Sequence, residues 1–154
     1  MPPLHRKIFF VFSLLIVAPN LWAQNSADSV SVEVPEIVTK AFKSKYPSGK
    51  INIWLLSADH YEARFMMNDK ITMAEFEKNG NWVYSETELT VDDVPVKSLD
   101  YIRDKYPGYE ITFVTREENP YDKLLITRIE KENDAFDLVF DLKGNFLNQE
   151  GLEE

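Results

Sequence analysis

The chain has 154 residues, no cysteine, two histidines and a formal charge of −9 at pH 7. Without cysteine it cannot form a disulfide scaffold, a thiol nucleophile, a cysteine-based zinc site or a covalent haem attachment. With 44% hydrophobic and 28% charged residues, the composition is that of a globular domain. The acidic balance argues against binding to nucleic acid, because phosphate groups require a basic surface.

The first 23 residues have the three parts of a secretory signal. Two basic residues precede an apolar run over residues 8–18, and Pro19 ends that run. The alternative is a membrane anchor, but a bilayer span needs about 20 apolar residues. We therefore predict cleavage between Ala23 and Gln24 and a mature chain in the periplasm or outside the cell, without stable membrane insertion. Cleavage removes two basic residues and no acidic one, so the formal charge becomes −11.

Two similar segments follow the signal. Val34-Pro35 recurs as Val94-Pro95, and Lys45-Tyr46-Pro47 recurs as Lys105-Tyr106-Pro107, both at a spacing of 60 residues. Further matches are Ile51 with Ile111, Tyr61 with Tyr121, Phe76 with Phe140, and Gly80-Asn81-Trp82 with Gly144-Asn145-Phe146, the last two at a spacing of 64. We expect the four extra residues near Glu130–Asp134, because a polar hairpin tip tolerates an insertion at little cost.

These matches predict the organisation of the chain. A linker over 24–32 follows the signal, the repeats cover 33–90 and 91–150, and 151–154 form a tail. Each repeat begins with a helix, expected over 35–46 and 95–106, since proline suits the first helical position and apolar residues then recur at helical spacing.

Strands fill the rest of each repeat. The predicted strands are Ile51–Ser57, Tyr61–Met67, Ile71–Lys78 and Trp82–Glu88, then Ile111–Arg116, Tyr121–Glu130, Ala135–Leu142 and Asn145–Gln149. The fold class is therefore α+β, with one helix and an antiparallel four-stranded meander in each tandem repeat. A helix covers only one face of such a sheet, so we expect both meanders to join into one curved sheet with the two helices on one face.

The duplicated pattern resembles the PepSY-like family, also described as beta-lactamase-inhibitor-protein-like. The resemblance is carried by Val-Pro, Tyr-Pro, a tyrosine followed by an acid at Tyr61-Glu62 and Tyr121-Asp122, and Gly-Asn-aromatic, over about residues 33–150. It implies an exported bacterial envelope protein whose sheet curves around a concave face, with inhibitory or protein-binding relatives. It implies no catalytic residues, and the chain shows no recognisable reactive loop.

Strand alternation divides the predicted sheet into a helix side and an open side. With Ile51, Ile53, Leu55, Ile111 and Phe113 assigned to the helix side, Val114, Arg116 and the candidate partner-binding residues lie on the open side. Those candidates are Trp54, Leu56, Arg64, Met66, Met73, Leu124, Ile126, Arg128 and Val139. Mixed apolar and charged groups suit protein recognition. The alternative is that they pack against one another, the N-terminal segment or a loop.

Catalysis has little support in the sequence. His60, Asp59 and Ser57 offer a base, a carboxylate and a hydroxyl, but neighbouring strand residues point to alternate faces, and nothing indicates an oxyanion hole. Asp92-Asp93 and Glu130–Asp134 lack the ligand spacing of a calcium loop. We therefore predict no catalytic residue, no metal site and no cofactor.

The sequence favours a non-enzymatic binding module, an inhibitor or regulator that grips another envelope protein with its open sheet face. The acidic charge favours a partner with a basic surface. The alternative is a small-ligand carrier or sensor with an apolar pocket between sheet and helices, lined by Tyr46 and Tyr106.

Overall fold

The computed structural model describes residues 32–151. The predicted signal, most of the predicted linker and the last three residues lie outside this range. The helices are α1 (Glu36–Lys45) and α2 (Val96–Lys105), and a short 3₁₀ helix (Val91–Asp93) precedes α2. The strands are β1 (Lys50–Ser57), β2 (His60–Met67), β3 (Lys70–Glu77), β4 (Trp82–Leu89), β5 (Glu110–Glu118), β6 (Lys123–Lys131), β7 (Asp134–Asp141) and β8 (Phe146–Gly151).

All eight strands form one antiparallel sheet in the order of the chain. The predicted α+β class is confirmed, with two α-helices and a single open sheet within residues 32–151. Cross-strand partners share a face of the sheet, and this rule traces one face from β1 to β8. The buried residues beneath α1 and those beneath α2 belong to the same face, so both helices lie on one side.

An aromatic core lies beneath α1. The helix contributes Val38, Phe42 and Tyr46, which recur at a spacing of four and form one stripe. The ring of Phe42 meets that of Phe65 edge-on at 4.9 Å and that of Trp54 at 5.6 Å. Such pairs add about 0.5–1.5 kcal/mol each beyond the burial of apolar area. This core therefore fixes α1 against the sheet.

A second core lies beneath α2 and is more aliphatic. Ile102 packs over Leu125, Ile129 and Leu138, which are all buried. The ring of Tyr101 on α2 stacks on the ring of Phe146 at 4.5 Å. Between the two cores the helix side of the sheet carries buried hydroxyl groups, and the Oγ1 atoms of Thr72 and Thr87 lie 3.2 Å apart.

The Gly-Asn turns of the sequence pattern hold the start of each helix. Gly80 has φ +88°, and a side chain there would lie 3.0 Å from the carbonyl oxygen of Ile37. Gly144 has φ +83°, and a side chain there would lie 3.0 Å from Pro95. Only glycine adopts this backbone and fits this space without strain. The Gly-Asn-aromatic motif of the family resemblance is thus structural.

A one-residue β-bulge in β1 reverses the side-chain alternation that the sequence predicts. Ile51 pairs with Phe65 but Ile53 pairs with Arg64, so Asn52 is the extra residue. From Ile53 onward every side chain points to the face opposite to the one expected. The same shift occurs in β5, where Ile111 pairs with Ile129 and Phe113 with Arg128.

The four extra residues of the second half lie in the β5–β6 hairpin, two in its connection and one in each strand, contrary to the expected position at Glu130–Asp134. The β2–β3 and β6–β7 turns both contain two residues between their strands. Two residues also join β1 to β2, whereas residues 119–122 join β5 to β6. Consequently Tyr121 lies in this loop and not at the start of β6, while its sequence counterpart Tyr61 is buried in β2.

Candidate functional site: the open face of the sheet

The open face is the side of the sheet opposite to α1 and α2. No helix within residues 32–151 covers it. Its large apolar residues on the six strands β1–β3 and β5–β7 are Ile53, Leu55, Met66, Ile71, Met73, Phe113, Leu124, Ile126 and Val139. Its charged residues include Glu62, Arg64, Glu75, Glu86, Glu88, Glu117, Arg128 and Asp137. We use "open face" for this surface throughout.

Seven of the nine predicted candidates lie on the open face. They are Arg64, Met66, Met73, Leu124, Ile126, Arg128 and Val139. Ile126 and Val139 are only 6% and 7% exposed because their neighbours cover them. The alternative of mutual packing therefore applies to these two residues, while Met66, Met73 and Leu124 are half-buried and Arg64 is exposed.

Trp54 and Leu56 were predicted on the open face, but both lie on the helix side of the sheet. Trp54 pairs with Ala63 on the helix side, and its ring packs on Phe42. Leu56 pairs with Tyr61 on the same side. The bulge at Asn52 is the cause, since it shifts the alternation by one residue. Residues 53–56 are all apolar, so this stretch shows no alternation of apolar and polar residues that would reveal the shift.

The corresponding bulge in β5 corrects two further assignments. Val114 is buried in the core beneath α2, and Arg116 pairs with Leu125 on the helix side. Conversely Ile53, Leu55 and Phe113, which were assigned to the helix side, belong to the open face. Ile53 is 45% exposed, so the bulge adds to the open face an exposed apolar residue that sequence reasoning missed.

Both arginines of the open face are held by acidic neighbours. Arg128 donates two hydrogen bonds to Asp137, at 2.8 and 2.7 Å, in a bidentate pair that is largely buried. This pair raises the pKa of Arg128. Arg64 donates from Nε to Glu62 at 2.6 Å. Because these two pairs neutralise both arginines, the carboxylates of Glu75, Glu86 and Glu117 in the middle of the face make it acidic.

Two glutamates oppose each other at the centre of the open face. Glu86 on β4 pairs directly with Glu117 on β5, an arrangement that like charges disfavour. The hydroxyl of Tyr84 donates to Glu86 at 3.0 Å. Glu117 is only 8% exposed, and burial together with the charge of Glu86 raises its pKa to about 7. Burial also raises the pKa of Tyr84 and of Glu75.

Asp59 and His60, two of the residues considered for catalysis, lie in the β1–β2 turn and at the start of β2. The exposed carboxylate of Asp59 accepts a hydrogen bond from Lys78 Nζ at 2.9 Å, which lowers its pKa, so this carboxylate is engaged by Lys78. His60 is the first residue of β2 and pairs with Glu77 on the open face. Within residues 32–151 no three His, Cys, Asp or Glu side chains are grouped to hold a metal ion.

A depression beside α2, on the helix side of the sheet, is the candidate pocket for the small-ligand carrier alternative. Its volume is about 560 Å³, and Leu99, Ile102, Tyr106 and Tyr109 line it. Tyr46 has a different environment, because it is buried with its ring 4.8 Å from that of Phe65. Tyr46 and Tyr106, which were predicted to line the pocket, therefore differ, since only Tyr106 lines this depression.

The chain belongs to the family described as beta-lactamase-inhibitor-like, PepSY-like, whose model matches residues 59–148. No curated protein matches it. Among solved structures it is similar to a BLIP-like protein from Bacteroides fragilis, with a TM-score of 0.73, 22% identity and coverage of 81% of this chain and 91% of the other. This similarity establishes the fold alone.

A second solved structure is described as a periplasmic protein from Bacteroides eggerthii, with a TM-score of 0.67, 25% identity and coverage of 78% and 90% of the two chains. A third is a DUF2874 family protein from Bacteroides uniformis, with a TM-score of 0.68, 23% identity and coverage of 77% and 90%. In the described part of this chain, no helix is long and apolar enough to cross a membrane.

Proposed function

We propose that this chain is a non-enzymatic, exported protein of the periplasm that binds another envelope protein through its open face. The observation that carries the proposal is the sheet face that no helix of residues 32–151 covers, where half-buried Met66, Met73 and Leu124 lie beside acidic side chains. Methionine adapts its shape to different contact surfaces. The family description supports a binding role, and the similarity to a protein described as periplasmic supports the compartment.

The charge of the open face supports a partner with a basic contact surface. Glu75, Glu86 and Glu117 lie at the centre, and the two arginines of the face are already paired with acids. A basic partner would relieve the repulsion between Glu86 and Glu117, and it would approach faster at low salt. We further propose that binding inhibits or regulates that protein, as the family description suggests.

Photocrosslinking tests the binding role. p-Benzoylphenylalanine replaces Ile71, which is 51% exposed on the open face, or Val96, which is 72% exposed on α2 and serves as the matched control. We expect a covalent adduct with one envelope protein from position 71 and none from position 96. That protein is then purified, and its affinity is measured for the wild type and for Met73→Ser.

The expected result is at least a tenfold loss of affinity for Met73→Ser, about the effect of truncating a contact residue in a well-packed interface. Val96→Ser should bind like the wild type. Equal crosslinking from both positions, or unchanged affinity of Met73→Ser, would refute the open face as the contact surface. An activity assay of the purified protein, with and without this chain, then tests inhibition.

The carrier role is a second candidate because of the depression beside Tyr106. It predicts that an apolar dye such as 8-anilinonaphthalene-1-sulfonate binds the folded chain. It also predicts that Leu99→Trp, which fills the depression, abolishes that binding. Dye binding that is absent, or that survives in Leu99→Trp, counts against this role.

A further inference from the structure

Tyr121 is an exposed aromatic residue on the loop over residues 119–122, which we call the NPYD loop. Its exposure of 82% exceeds that of Val96 at 72% and of Leu56 at 52%. A ring that is this exposed does not contribute to the hydrophobic core. Tyr61, the residue that matches it in the sequence pattern, is by contrast only 8% exposed. Tyr121 therefore has no role in packing that accounts for its aromatic ring.

The NPYD loop is ordered by its own hydrogen bonds. Asn119 Oδ1 accepts from the backbone N–H groups of Tyr121 at 2.8 Å and Asp122 at 2.9 Å. The N–H of Asn119 donates to the carbonyl of Asp122 at 2.9 Å, and Pro120 restricts its own φ. Below the loop, Lys123 bonds to Glu118 at 3.0 Å. A contact residue held this way loses little conformational entropy on binding.

Closing the hairpin does not require this loop. The β1–β2 connection closes the corresponding hairpin of the first half with only Ala58 and Asp59. Two-residue connections are the commonest in antiparallel hairpins. The fold therefore does not require the longer NPYD loop, which carries an exposed aromatic ring at the end of the sheet.

The position of the loop links it to the open face. Glu117 and Leu124 pair across β5 and β6 on that face, within four residues of Tyr121. Glu117 in turn pairs with Glu86. The exposed ring therefore lies at the end of two strands that contribute to the open face, and Asp122 adds an exposed carboxylate on the loop itself.

We propose that Tyr121 inserts into an apolar pocket, with basic residues at its mouth, on the protein that the open face binds. The proposal rests on the proposed function and identifies Tyr121 as the residue that anchors this chain to its partner. Tyrosine is enriched among the residues that dominate protein interfaces, because it brings a large apolar ring and a polar tip. The basic mouth follows from the exposed carboxylate of Asp122 next to Tyr121 and from the acidic side chains of the open face.

The test places p-benzoylphenylalanine at position 121, at Ile71 on the open face, or at Val96 on α2 as control. We expect positions 121 and 71 to crosslink to the same envelope protein and position 96 to give no adduct. The affinity of that purified protein is then measured for the wild type, Tyr121→Ala and Tyr121→Phe at low and high salt. Thermal melting confirms that each variant folds, as the exposure of Tyr121 predicts.

The expected result is at least a tenfold loss for Tyr121→Ala, a change of less than about threefold for Tyr121→Phe, and affinity that falls as salt screens the charges. If position 71 captures a protein but position 121 does not, or if Tyr121→Ala binds like the wild type, the anchor is refuted while the open-face function stands. If neither position gives an adduct, both proposals fail.

Discussion

The helix side and the open face of the same sheet differ in what determines their side chains. On the helix side, Phe42, Phe65 and Phe76 are almost completely buried and meet edge-on or tilted, so close packing selects them. On the open face, Glu86 and Glu117 oppose each other in a position that costs stability. One face thus serves folding, whereas the other retains unfavourable groups, which is typical of functional surfaces.

The largest expected effect concerns the core beneath α1. Phe42→Ala should lower the free energy of unfolding by about 3–5 kcal/mol, because it removes a ring that contacts Phe65, Phe76 and Trp54. Met73→Ala on the open face is the comparison and should cost far less. Urea denaturation measures both. Similar losses would mean that the open face is packed like the core.

A second pair of variants tests the bulge at Asn52. Trp54→Ala should cost about 2–3 kcal/mol, since Trp54 packs on the helix side, whereas Ile53→Ala should cost less than about 1 kcal/mol. Denaturation of both proteins under one set of conditions gives the difference. If Ile53→Ala costs more than Trp54→Ala, the side-chain alternation predicted from the sequence alone is correct and the bulge at Asn52 is refuted.

The pH dependence of stability tests the buried carboxylate of the open face. The pKa of Glu117 is about 7 in the folded chain, above its usual value, so the folded state binds this proton more tightly than the unfolded state does. The resulting stabilisation is complete below about pH 4.3, the usual pKa of glutamate, and is lost as the pH rises through 7.

Glu117→Gln should therefore reduce the fall in unfolding free energy between pH 5 and pH 8 by about 2 kcal/mol. Chemical denaturation across this range measures the change. Glu88→Gln, an exposed glutamate on the same face, controls for the loss of a charge. If Glu117→Gln and the wild type have parallel profiles, Glu117 titrates like an ordinary surface acid.

The smallest expected effect belongs to Arg64. Its ion pair with Glu62 leaves the arginine more than half exposed, so Arg64→Ala should change the free energy of unfolding by at most about 0.5 kcal/mol. Thermal melting of the variant beside the wild type measures this. A loss above about 1 kcal/mol would show that this pair stabilises the sheet and would contradict the distinction between the two faces.

Much of the secondary structure was predictable because its signals are local. The predicted helices over 35–46 and 95–106 match α1 and α2 to within one residue at each end. The hairpin at Lys78–Asn81 has its glycine at positive φ. Proline, glycine and the apolar stripe of a helix act through neighbouring backbone atoms, so their effects can be read without the fold.

The candidate site was only partly predictable. Arg64, Met66 and Met73 were placed correctly because β2 and β3 pair without a shift. Trp54 and Leu56 were placed wrongly because one extra residue in β1 reverses every side chain after it. Glu117 was not singled out, since its burial depends on the neighbouring strands of the sheet.

The sequence by itself determined the elements of this protein and their order, because scarce prolines and glycines fix where helices and turns begin and end. Tertiary structure alone decided which face each strand residue occupies, where the extra loop lies and how strongly Glu117 holds its proton. These properties depend on register and burial, which arise between strands distant in the chain and leave no local mark on the sequence.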